Sequence, residues 1–343
     1  MNRRDLDELV AHYQLSSPQV ERTLAIARAR PTPQETRQFA SRALLLAGVL
    51  FLAAGIVFLV AANWSELRIA GRFALLETLM AVTFALAFWR PPPRPLGRYA
   101  LLAAFILVGA PLALFGQTYQ TGANVYELFL TWAVLGVPLV IAGQWNALWA
   151  AWILVLNLAL GLFCGLRPET GAFWMLFSGG WATPSLLLIA MLVNLALWAF
   201  AELLHARVIG LKSLTSLADN SLRRLLLASA IVFAIWGASL AIFGFGAYPQ
   251  HRDGWSILWV FAALAGIGFY TWRRRTDVFP LALVAASVIL LVMFFILQHG
   301  STGETDFMGM ALGVAAWLVI SSSAAARVIL TLMRSWRETE ADA

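Results

Sequence analysis

The sequence predicts an all-α polytopic transmembrane helix bundle of about ten spans, with a short N-terminal helical module. Three observations carry that prediction. First, apolar residues make up 61% of the chain and charged residues only 12%, about half the charged share of a soluble domain. In 343 residues that excess cannot be one water-soluble core, because single cores stop growing near this length. Second, the apolar residues come in blocks of about 20, the length that crosses a bilayer as a helix. Third, the arginines fall between those blocks and alternate in density from one gap to the next.

Residues 1–42 read as a small cytoplasmic helical module. Leu6, Leu9, Val10 and Tyr13 recur at helical spacing. Ser17 followed by Pro18 is a helix start, with a hydroxyl to cap and proline in the first turn. Val20, Leu24 and Ala27 give the next helix an apolar face, and Thr32-Pro33-Gln34-Glu35 has the form of a capping box. The third helix is expected to run straight into the membrane. The module is too small for a core of its own, so it is expected to pack on the membrane domain, on another copy or on a partner.

The apolar runs are 43–62, 73–89, 99–116, 126–142, 147–166, 184–203, 225–245, 255–272, 279–297 and 307–330. The membrane bundle then occupies 43–333 and a cytoplasmic tail 334–343. Ten spans put both termini on one side. That side holds twenty of the 24 lysines and arginines, and the opposite side holds only Arg68, Arg72, Arg167 and Arg252. Such asymmetry is the positive-inside pattern and makes both termini cytoplasmic. The net charge of +6 is accordingly read as topology rather than as a nucleic-acid surface. The first apolar run begins too late for a cleavable signal peptide. The one cysteine, Cys164, can make no intramolecular disulfide.

The odd loops face outward on this threading. The third carries Ala172-Phe173-Trp174-Met175-Leu176-Phe177, too short to span and suited to the interface. The fifteen tryptophans are read mainly as interfacial belt and packing residues. Gly109–Gly116 and Gly237–Gly244 match at six of eight positions, four spans apart, a hint of a parallel repeat. Glycines seven apart, at Gly48/Gly55, Gly109/Gly116, Gly136/Gly143 and Gly237/Gly244, and four apart, at Gly161/Gly165 and Gly309/Gly313, are expected to mark close helix contacts.

The candidate site is built around the loop after the third run, Phe115 to Glu127, which has amides, hydroxyls and phenols but no lysine or arginine. Gln117, Tyr119, Gln120, Tyr126 and Glu127 would form an outward rim, joined by Asn63 and Trp64 from the first loop. Asn157 and Asn194 lie near the middle of consecutive antiparallel spans, so their amides could meet. They are either glue worth about 1 kcal/mol or less or deeper ligand contacts. Glu77 and Glu127 lie shallow near the same face, either as interfacial partners of Arg68 and Arg72 or as carboxylates lining an outward cavity, one able to take up a proton. His251, Asp253, His299, Glu304 and Asp306 are weak metal candidates in the outward loops, without the spacing of a metal motif. His12 and His205 belong to the cytoplasmic side. No P-loop, nucleophile elbow or zincin motif is present, and no cofactor is implied.

A cytoplasmic helical segment precedes a first span ending Ala61-Ala62-Asn63-Trp64, and Gly116-Gln117-Thr118-Tyr119 precedes a span with Trp132 and Pro138. In these features the chain resembles a bacterial family of predicted inner-membrane proteins classed as a domain of unknown function (family 2157). The resemblance covers the N-terminal module and roughly the first half of the membrane region. It implies a bacterial inner-membrane location and brings no activity.

Three function classes follow. The leading expectation is a transporter- or flippase-like protein whose outward site takes a neutral polar or lipid-linked ligand, since amides and aromatic rings without fixed positive charge suit such molecules. The alternative is an envelope assembly or sensing scaffold that binds a periplasmic partner, with homo-oligomerisation open. The third is a membrane enzyme using His299 or Glu127 as acid or base. Lipid is the one partner common to all three.

Overall fold

The computed structural model describes residues 33–62, 66–119, 122, 124–165, 183–206, 212–244, 254–274, 277–300 and 307–341, together with Ser16 and Pro18. Among them the chain is helical apart from short turns, with no strand. Most of the N-terminal module, and the 172–177 stretch expected at the interface, lie outside the described residues.

The described residues form ten α-helices, in order: α1 (Pro33–Ala62), α2 (Ile69–Trp89), α3 (Pro95–Tyr119), α4 (Val125–Gly143), α5 (Asn146–Phe163), α6 (Pro184–His205), α7 (Asn220–Phe243), α8 (Gly254–Arg274), α9 (Phe279–Gly300) and α10 (Phe307–Ala341). A 3-10 helix, Lys212–Ala218, lies between α6 and α7. All ten α-helices are long and apolar enough to cross a membrane, so the protein is a membrane protein whose outer helix surfaces meet lipid. Each of the ten apolar runs corresponds to one helix. The chain divides into two compact units, 1–75 and 76–343. In the first, α1 is one unbroken helix from Pro33, and Phe39, Phe51 and Phe58 on it are exposed.

The second unit is organised on α7. Almost three quarters of its span, 72%, is buried, and it touches α5, α6, α8, α9 and the 3-10 helix. Its start is set by Asp219, whose carboxylate accepts from the Ser221 N–H. The helix therefore begins before the apolar run and carries Arg223 and Arg224 in its first turns. It ends at Gly244, whose φ of 70° is the left-handed C-cap that glycine adopts without strain. The core around it includes Leu187, Ala190, Met191, Leu227, Phe233, Leu264, Leu291 and Phe294. Buried hydroxyls are satisfied within their own helices: Ser239 donates to the Trp236 carbonyl, Ser287 to Leu283 and Thr271 to Ile267.

Helices α3 and α4 meet by exchanging large and small residues. The Trp132 ring lies over Gly109, where a Cβ would come within 2.6 Å of it. One turn away the Phe105 ring lies over Gly136, where a Cβ would come within 2.3 Å. The two rings sit 5.8 Å apart between centroids, and the Trp132 indole N–H donates to the Phe105 carbonyl at 2.7 Å. Gly143 makes a similar gap for Leu148, and Gly237 lets the Leu187 side chain approach α7.

The glycine pattern is thus met at Gly109, Gly136, Gly143 and Gly237. A Cβ at Gly48, Gly55, Gly116, Gly309 or Gly313 would meet nothing within 4 Å. The sequence echo is not matched in packing either. Gly109 faces α4, the next helix, whereas Gly237 faces α6, the preceding one, and Gly116 lies within α3 whereas Gly244 closes α7.

Gly109→Val and Gly136→Val should each lower stability by about 1–3 kcal/mol, because the added methyls meet packed rings. Gly116→Ala should stay within about 0.5 kcal/mol of the parent. Thermal unfolding of the detergent-solubilised protein, followed by tryptophan fluorescence, separates the two outcomes.

Candidate functional site

The rim forms where α3 ends and α4 begins. Gln117 and Tyr119 are exposed at the end of α3, and Phe115, 50% exposed, packs against the Tyr119 ring at 4.8 Å. Gly122 turns the chain with a φ of 67°. Asn124 is the N-cap residue of α4, but its side chain does not cap the backbone. Its Nδ2 donates instead to Glu127 Oε1 at 3.1 Å, while the Glu127 N–H donates to the Asn124 carbonyl. Glu127 therefore serves the start of its own helix, where a carboxylate also favours the dipole. Tyr126 is half-buried and meets Phe163, at the end of α5, edge-on at 5.1 Å. Four of the predicted rim residues, Gln117, Tyr119, Tyr126 and Glu127, thus lie along the junction of α3 and α4. Asn63, Trp64 and Gln120 lie outside the described residues, and Glu77 is exposed on α2.

Asn157 and Asn194 do meet. Asn194 Nδ2 donates to Asn157 Oδ1 at 2.8 Å and to its own Ala190 carbonyl at 3.0 Å. Asn157 Nδ2 donates back to the Ile153 carbonyl at 2.8 Å. At about 1.5 Å per residue, Asn157 lies about 9 Å along α5 from Phe163, and Asn194 about 15 Å along α6 from Pro184. Asn194 is fully buried, and its Oδ1 has no hydrogen-bond partner among the described residues. The pair clasps α5 to α6 and leaves one acceptor unused.

Several tryptophans do more than belt and packing duty. Trp152 donates its indole N–H to the Ala133 carbonyl on α4, Trp317 to the Ile289 carbonyl on α9, and Trp149 to Ser216 Oγ on the 3-10 helix. With Trp132, each ties one element to its neighbour. The Ala133 carbonyl lies next to that of Val134, which Pro138 deprives of its usual helical donor.

The opposite, arginine-rich end of the unit holds a polar cluster that the sequence reading did not assemble. Arg223 Nη1 on α7 meets Glu202 Oε1 on α6 at 2.6 Å, and Tyr270 OH on α8 donates to Glu202 Oε2 at 3.3 Å. Trp198 packs edge-on against Tyr270 at 5.5 Å. Arg224 grips Asp277, before α9, with both Nε and Nη2 at 2.8 Å, and lies over the Phe279 ring. Four helices are joined by these contacts. The cleft they line has only about 20 Å³ open to a water, about one water's worth, so the cluster is a clamp rather than a ligand pocket. In the sequence, Arg223 and Arg224 are simply two of the twenty basic residues that make the positive-inside pattern. The missing clue was that Glu202, Tyr270 and Asp277 fall at the same ends of their spans.

Burial alone would raise the Asp277 carboxyl, but the Arg224 hydrogen bonds, the Phe279 N–H and the nearby Arg223 charge outweigh it and hold the group below its ordinary range. Among the described residues no three His, Cys, Asp or Glu side chains gather as a metal site. His251, Asp253, Glu304, Asp306 and the His299 side chain lie outside the described residues.

With the geometry in hand, comparison with known proteins adds one finding. Residues 7–149 match the family described as predicted membrane protein (DUF2157). The resemblance read from Asn63-Trp64, Gly116–Tyr119, Trp132 and Pro138 is borne out over that stretch, which includes the α3–α4 junction. No curated protein and no solved structure matches the chain.

Asn194→Leu or Asn157→Ala should cost about 1 kcal/mol, measured by thermal unfolding in detergent, if the pair is glue alone. A depressed carboxyl contributes stability that is present above its unfolded pKa and lost as pH falls through the folded one. The melting temperature should therefore drop as pH goes below about 4. Asp277→Asn should melt lower at neutral pH and show a shallower acid decline than the parent.

Proposed function

We propose that this is a bacterial inner-membrane protein with both termini in the cytosol, acting as an envelope assembly or sensing scaffold. Its extracytoplasmic rim, Phe115, Gln117, Tyr119 and Tyr126, docks a periplasmic partner, and residues 1–42 relay the contact inside. The observation that carries this reading is the closed Asn157–Asn194 pair. The amides at depth are spent on each other, whereas Gln117 and Tyr119 at the end of α3 stand exposed. Aromatic and amide groups held on a fixed helix end suit a protein surface, where rigid rings contribute area at low entropic cost. The arginine distribution supports the orientation.

A second reading has one observation in its favour. The unpartnered Oδ1 of Asn194 is an acceptor that a polar or lipid-linked ligand could satisfy if α5 and α6 parted, as a transporter- or flippase-like protein would require. The acid–base role for Glu127 is weakened by its bond to Asn124.

Photo-crosslinking amino acids placed at Gln117 and Tyr119 in living cells test the scaffold. A discrete protein adduct at both positions, missing when the probe sits at Phe88 on α2, is the expected result. Adducts with lipid or glycan alone would favour the transport reading. Adducts no stronger than at Phe88 would overturn the rim. In a Cys164→Ala background, Asn124→Cys should react with an impermeant maleimide from outside and Arg274→Cys should not.

A further inference from the structure

The turn between α2 and α3 concentrates positive charge beside exposed aromatic rings. It carries Arg90 and Arg94, with Arg98 in the first turn of α3, and no aspartate or glutamate occurs between Glu77 and Glu127. Phe88 and Trp89 end α2 at 91% and 68% exposure. The Arg90 guanidinium lies 5.0 Å from the Trp89 ring centroid.

This turn is firmly built. The Arg94 N–H donates to the Pro91 carbonyl and the Arg98 N–H to the Arg94 carbonyl. A Cβ at Gly97 would fall 2.1 Å from the Arg90 carbonyl oxygen, so only glycine lets the chain fold back and bring Arg90 beside the first turn of α3. Next to Arg98, the Tyr99 ring meets Trp145, in the α4–α5 turn, edge-on at 5.1 Å.

Its electrostatics are unfinished. Cations are disfavoured at a helix N-terminus, yet Arg94 and Arg98 flank the start of α3, and its first turn has no acidic residue. Neither of the ion pairs among the described residues involves these arginines. Arg98 Nε is shut off from solvent and has no hydrogen-bond partner among the described residues. An anion at this turn would satisfy the helix end and the exposed guanidinium charge together.

We propose that residues 88–98 form a binding surface for the phosphate headgroup of an anionic phospholipid. Phe88 and Trp89 sit in the acyl–headgroup boundary, and the guanidinium groups of Arg90, Arg94 and Arg98 hold the phosphate. The exposed rings choose lipid over a free anion, since a soluble phosphate has nothing to place against them, whereas aromatic side chains belong at the membrane interface. The surface is independent of the rim and of any partner docking there.

Native mass spectrometry of the full-length protein in detergent tests this, with dioleoyl phosphatidylglycerol and dioleoyl phosphatidylcholine added in parallel. The protein should retain phosphatidylglycerol in preference to phosphatidylcholine. Each arginine near a membrane surface changes anionic-lipid affinity about fivefold, so Arg90→Gln/Arg94→Gln should lower retention about twentyfold and adding Arg98→Gln about a hundredfold. The double variant changes exposed side chains and leaves Arg98 in place, so helicity and elution volume should match the parent. Arg273→Gln/Arg327→Gln/Arg334→Gln removes as much charge elsewhere and should leave retention unchanged. Equal retention of the two lipids, or equal loss in the control variant, overturns the proposal. So does displacement of phosphatidylglycerol by millimolar inorganic phosphate.

Discussion

Helices in lipid are not pulled together by the hydrophobic effect, because acyl chains are as apolar as leucine. The second unit must therefore associate through close packing and specific polar contacts. The exchange of Trp132 over Gly109 and Phe105 over Gly136 shows how both are obtained at one interface. Glycine lets the backbones approach, the ring fills the gap, and the indole N–H adds a hydrogen bond to a carbonyl already in its helix. Neither partner suffices alone. Glycine without the ring leaves a void, and the ring without glycine clashes.

The same logic recurs with different chemistry around the unit. Trp152 joins α5 to α4, the amide pair joins α5 to α6, and Trp317 joins α10 to α9. At the arginine-rich end the links are ionic, from Glu202 and Arg223 to Arg224 and Asp277. Their strengths differ with exposure. The Arg223–Glu202 pair is mostly buried, whereas the Arg224 side chain is 42% exposed, so its pair is worth about 1 kcal/mol or less. The heavily buried α7 carries both arginines and forms the axis that these links secure.

This division of labour bears on function. The deep amides of Asn157 and Asn194 hold α5 to α6, and on the proposed reading the groups for recognition stand at the two ends. The rim offers uncharged hydrogen-bonding groups and aromatic rings. The opposite end offers guanidinium groups, of which two are neutralised by carboxylates and those of the 88–98 turn are not. The match to predicted membrane proteins over residues 7–149 takes in both the rim and that turn.

Much of this is legible in the sequence. Block length and low charge determine a helical membrane protein of ten spans, because the cost of unsatisfied backbone groups in hydrocarbon leaves few alternatives. That Asn157 and Asn194 could meet was open to the sequence too, since consecutive spans are antiparallel and an amide in hydrocarbon favours a partner; the structure makes the contact. What the sequence could not supply is the azimuth of each helix. A run apolar on every side does not show which face meets a neighbour, so Gly109 and Gly136 could not be told from Gly116, Gly309 or Gly313. Nor could Arg223 and Arg224 be distinguished as clamp residues from the unpaired Arg90 and Arg94. Only tertiary packing decides that, because a contact across helices depends on rotation about the helix axis, which composition leaves open.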